Sequence, residues 1–98
     1  MTINKTQNGN ALTIALEGRL DTVTSPELEK ELKNSLDAAQ TLTLDFSKLD
    51  YISSAGLRVL LSAHKAMSKK GGMKITNVNE IVKEVFDVTG FADILTIE

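Results

Sequence analysis

Two adjacent serines, Ser53 and Ser54, stand with Ala55 and Gly56 just before an apolar-periodic run that begins at Leu57. A serine at a helix start lies among backbone N–H groups without partners in the helix, at the positive end of its dipole. Such a hydroxyl can cap the helix. It can also take up a phosphoryl group, because a helix N-terminus favours an anion. Arg58 follows Ser54 by one helical turn and could reach a phosphate there. On spacing alone, the cap is the commoner use of the serine, and Arg58 is a solvated helix residue.

Other chemistries lack their residues. The single histidine, His64, lies on the same expected helix as Ser54. At the α-helical rise the two are about 15 Å apart, too far for a nucleophile and its base. No G-x-S-x-G elbow is present. His64 falls beside Leu57, Leu60 and Leu61, where a partly buried structural histidine is expected. Without cysteine there are no disulfides, thiolate metal ligands or cysteine nucleophiles, and one histidine makes a zinc site improbable. Asp45 lies in a strand-like stretch but lacks the acidic pair of a receiver domain. Gly71-Gly72 is a helix stop, not a phosphate loop. The expectation is a binding protein, not an enzyme, with no cofactor and no metal.

Composition agrees. A chain of 98 residues makes one domain, 1–98. With 42% hydrophobic and only 4% aromatic residues, the core must be aliphatic. The formal net charge of -2 argues against a nucleic-acid partner. From Ser53 to Lys74 the charged residues are Arg58, Lys65, Lys69, Lys70 and Lys74, with no acid. This suits the C-terminal end of a helix dipole and a solvated face. The sharper alternative is an acidic partner or a membrane surface. The polar start and the short apolar runs point to a cytoplasmic protein without a transmembrane segment.

The elements that must position the serines follow from periodicity. Thr2 to Gln7 reads as a polar edge strand, and the Asn8-Gly9 pair as a type I′ hairpin turn. Leu12, Ile14 and Leu16 alternate as a half-buried strand. Ser25 and Pro26 open a helix striped by Leu28, Leu32 and Leu36. Thr41 to Phe46 is a short strand, and Ser47 to Asp50 a turn. A second helix runs from about Ala55 to Lys70, and Met73 to Val78 is a strand. Asn79 caps a third helix with Ile81, Val82, Val85 and Phe86 inward, ended by Gly90. Ile94 to Ile97 adds an edge strand. The order β-β-α-β-α-β-α-β describes an α/β domain with a mixed, mostly parallel sheet and three to four helices.

Three segments then carry a resemblance across essentially the whole chain. Asp50-Tyr51-Ile52-Ser53-Ser54-Ala55-Gly56-Leu57 resembles the central signature of the STAS family. Glu17-Gly18-Arg19-Leu20-Asp21 resembles its Gly-x-Leu-Asp loop, and Phe86-Asp87-Val88-Thr89-Gly90 its helix-ending segment. The resemblance to the anti-sigma factor antagonist branch implies a protein-binding switch. Its partner would be an anti-sigma factor that is also a serine kinase, and a phosphatase would reset it. The family's acceptor serine lies two residues before the signature glycine, which falls on Ser54. Ser53 stands where well-known members carry Asp, and is a rival acceptor. Asp21, Ser53, Ser54 and Arg58 would form the partner face, with Asp21 as a contact. The same face would suit a second reading, an unphosphorylated STAS adaptor in a transport or lipid-trafficking complex.

Overall fold

A computed structural model describes all residues, 1–98. The strands are β1 (Thr2–Asn8), β2 (Ala11–Leu20), β3 (Thr41–Ile52), β4 (Met73–Thr76) and β5 (Thr96–Ile97). The helices are α1 (Ser25–Ser35), α2 (Ser54–Met67) and α3 (Glu80–Thr89), with short 3-10 turns after α1 and α3. The strands lie in sequence order in one five-stranded sheet. β1 is antiparallel to β2, and the other neighbouring pairs are parallel.

This order explains the layering. Each crossover steps one strand in the same direction, so right-handed connections put all three helices on one face. Leu12, Ile14, Leu16, Leu42, Leu44, Phe46 and Ile75 are buried on that face. Thr13, Ala15, Thr43 and Asp45, which alternate with them, remain partly open on the other. Leu28 and Leu32 of α1, Leu57, Leu60 and Met67 of α2, and Val82 and Phe86 of α3 complete the core.

Several local expectations change. The hairpin loop is Gly9-Asn10, because Asn8 already pairs with Ala11. Gly9 alone takes a positive φ of 64°, so the glycine sits at the first central position of the turn, not in a type I′ pattern. Ser25 does not cap α1: the cap position is Thr24, and Ser25 is buried with its hydroxyl donating to the Asp21 carbonyl. Ile81 is 60% exposed, since Val82 and Phe86 already point at the sheet and Ile81 lies beside them on the helix.

The largest change is in β3. Ser47 to Asp50 is not a turn, because the strand runs on to Ile52. Ala15 pairs with Asp45 and Glu17 with Lys48, and Gly18 pairs with Leu49 and Arg19 with Tyr51. β3 therefore carries an extra residue at two bulges. Each bulge shifts the alternation, so the buried positions run Leu42, Leu44, Phe46, Leu49, Ile52. The polar pairs that mimic a turn in the sequence are the bulges.

Candidate functional site

β2 and β3 outlast β4, which pairs with β3 only as far as Asp45. Their shared C-terminal ends carry the loop before α1 and the entry into α2. The Ser53 N–H donates to the Leu20 carbonyl at 2.9 Å, closing the strand pair. Ser53 then takes extended backbone (φ -101°, ψ 175°) and becomes the N-cap of α2. Its carbonyl accepts the first helical bond, from the Leu57 N–H at 3.0 Å.

The Ser53 side chain does not cap. Its hydroxyl oxygen is buried and has no hydrogen-bond partner. Ser54, the first residue of the helix, is exposed. The N–H groups of Ser54, Ala55 and Gly56 have no acceptor within the helix. Gly56 is what lets this helix end lie so low on the sheet. A Cβ there would come within 2.8 Å of Leu20 Cγ and 2.9 Å of Ile52 Cγ1.

Arg58, one turn beyond Ser54, is exposed and makes no ion pair. With Thr22, Pro26 and Ala55 it lines a shallow cleft between the loop and the two helices. Ser53 at the cap, Ser54 on the first turn and Arg58 one turn on thus share the start of α2, and Thr22 of the Asp21 loop lines the cleft with Ala55 and Arg58.

Asp21 is occupied by its own loop. Its Oδ1 accepts from the Val23 N–H at 3.0 Å and the Thr24 N–H at 3.1 Å. Its Oδ2 lies 3.8 Å from Arg19 Nε. The Thr24 N–H, then the Val23 N–H, the Thr24 hydroxyl and Arg19, hold the carboxyl below its ordinary value, outweighing the burial that would raise it. The Arg19 guanidinium also stacks 4.4 Å from the centre of the Tyr51 ring, on the residue opposite in β3.

The STAS domain model matches residues 2–98. The chain belongs to the STAS domain family. An anti-sigma-B factor antagonist of Bacillus subtilis is 30% identical over 92 residues, covering 93% of this chain and 84% of that protein. A crystal structure of an anti-sigma factor antagonist from Mycobacterium paratuberculosis has a TM-score of 0.88 at 21% identity, covering 98% of this chain and 83% of that one. The Bacillus cell fate determinant SpoIIAA in the phosphorylated form has a TM-score of 0.76 at 17% identity, covering 99% and 91%. These structural likenesses show a shared fold.

Sequence patterns single out the serines of this STAS domain, Arg58 and Asp21, and pass over Val23, which is 81% exposed two residues after Asp21. The available signal was an apolar residue flanked by threonines in a polar loop. The Arg19–Tyr51 stack is missed because period-two alternation in β3 breaks after Phe46, at its bulges. His64 is half-buried, with Nδ1 shielded and unpartnered. No helix is long and apolar enough to cross a membrane.

Proposed function

We propose that this STAS protein is a cytoplasmic anti-sigma factor antagonist switched by phosphorylation of Ser54. Unphosphorylated, it binds an anti-sigma factor and so frees a sigma factor. The anti-sigma factor, acting as a serine kinase, transfers the γ-phosphoryl group of ATP to the Ser54 oxygen with release of ADP and the hydroxyl proton, and the complex separates. A phosphatase hydrolyses the phosphoserine and restores binding.

The observation that carries this reading is the exposed Ser54 hydroxyl on the first turn of a helix whose cap residue leaves its N–H groups open. Phosphorylation there adds about -1.5 to -2 charge at pH 7. The dipole, the free N–H groups and Arg58 all favour that charge, so the fold tolerates it. The switch therefore acts on the partner surface rather than by melting the domain. Ser53 is the poorer acceptor, because its hydroxyl oxygen is buried. The similarity to an anti-sigma-B factor antagonist supports the same reading.

The test is intact-mass spectrometry with peptide mapping on protein purified from its own cells. One phosphate, on Ser54, is expected in part of the population. Phosphate on Ser53 would move the site. No phosphate under any growth condition would overturn the switch and favour an unphosphorylated adaptor.

A further inference from the structure

Val23 is held out to solvent on a loop cross-linked through Asp21 and Thr24. Besides the two bonds to Asp21 Oδ1, the Thr24 hydroxyl accepts from the Asp21 N–H at 2.9 Å and donates to the Arg19 carbonyl at 2.8 Å. The Ser25 N–H donates to the Asp21 carbonyl at 2.8 Å. Burying a branched apolar side chain on so fixed a loop costs little further ordering, so its transfer free energy goes into binding. The other large exposed hydrophobics, Ile81, Val88 and Ile94, lie on α3 and the segment after it. Val23 differs from them in its position. Its neighbour Thr22 shares the cleft with Ala55 and Arg58. The Asp21 Oδ1, by contrast, is turned inward to the Val23 and Thr24 N–H groups, and its Oδ2 faces Arg19 at 3.8 Å.

We propose that Val23 is the apolar anchor of the anti-sigma factor interface, and that Asp21 is a positioning residue that holds it rather than a charged contact; this rests on the antagonist reading above. The partner must then present an apolar pocket for a valine side chain next to the groups that meet Ser54. Interfaces commonly centre on a desolvated anchor ringed by contacts that exclude water; Trp, Tyr and Arg fill that place more often than valine, and here the rigid loop compensates for the smaller side chain. Asp21 is needed for the acceptor geometry of its Oδ1, and its charge is dispensable.

The experiment is calorimetric titration of the organism's own anti-sigma factor, purified separately, against the full-length protein and its variants. Val23→Ser is expected to weaken binding by roughly tenfold, and Val23→Glu by roughly a hundredfold. Neither should move the unfolding midpoint, since the side chain is exposed. Asp21→Asn keeps the Oδ1 acceptor and should bind like the wild type. Asp21→Ala loses that acceptor and should weaken binding as much as Val23→Ser. The double variant Asp21→Ala, Val23→Ser should bind no more weakly than Val23→Ser alone. Wild-type affinity in Val23→Glu, or a loss in Asp21→Asn equal to that in Asp21→Ala, overturns the proposal. Ser54→Glu separates the two levels. If it weakens binding while Val23→Glu does not, this inference alone fails, and if neither variant weakens binding, the antagonist reading fails as well.

Discussion

Helices α2 and α3 begin alike and are finished differently. Each is preceded by a small polar residue in extended backbone: Ser53 at φ -101°, ψ 175°, and Asn79 at φ -77°, ψ 171°. Asn79 uses both ends of its amide. Its Oδ1 accepts from the Val82 N–H at 2.8 Å, and its Nδ2 donates to the Leu49 carbonyl at 2.8 Å. It therefore caps α3 and also satisfies β3 where β4 no longer pairs with it. The Ser53 hydroxyl does neither. Serine and asparagine rank about equally as caps, so residue type does not explain the contrast. One helix start is closed for stability, and the other stays open beside an exposed serine.

The largest effect should come from Gly56, which seats the open helix end. Gly56→Ala drives a methyl group into Leu20 and Ile52, and overpacking of this kind costs about 1–3 kcal/mol. Denaturant unfolding should show a lower midpoint at unchanged slope. Next comes Asn79→Ala, which leaves the Val82 N–H and the Leu49 carbonyl without their partner, at about 1–2 kcal/mol. Ser53→Ala should cost less than about 0.5 kcal/mol, because it removes a hydroxyl that makes no bond. Equal losses at Ser53 and Asn79 would erase the contrast between the two helix starts.

Acid should produce the smallest effect. The Asp21 carboxyl is held below its ordinary value of 3.8, chiefly by the Thr24 N–H. Glu31 is held below 4.5, chiefly by Lys5, and Asp45 below 3.8, chiefly by the Asn77 amide. Each folded-state value lies under the unfolded one, so in that interval the unfolded chain binds more protons. These contributions are complete above the ordinary values and are lost as the pH falls through the folded ones. Asp21→Asn should lower the neutral plateau of an unfolding-midpoint curve slightly and flatten its acid limb, so that variant and wild type converge in acid.

Element order and the place of the serines were legible because they rest on hydrophobic alternation and on caps, both local signals. The continuation of β3 was hidden, because two bulges put Ser47-Lys48 and Asp50-Tyr51 where period-two alternation fails. Ile81 was misjudged because one turn of α3 carries more apolar residues than the sheet can cover. The exposure of Val23 depends on the folded loop around Asp21, which no periodicity reports. The basic run from Arg58 to Lys74 is partly structural. Lys70 Nζ donates to the carbonyls of Leu36 at 2.6 Å and Ala39 at 3.0 Å, and Lys74 lies 3.7 Å from Glu98. Lys70 thus closes the end of α1 and Lys74 lies at the β4–β5 edge, roles that come from tertiary packing and not from helix dipoles alone.

The central claim is that one phosphate on Ser54 decides whether the partner stays bound. The most direct measurement is the affinity of the purified anti-sigma factor for the unphosphorylated protein and for protein fully phosphorylated on Ser54, with both forms shown to be folded. The expected result is tight binding of the first and loss of roughly a hundredfold or more in the second, about 2.7 kcal/mol. Equal affinity for the two folded forms would contradict it.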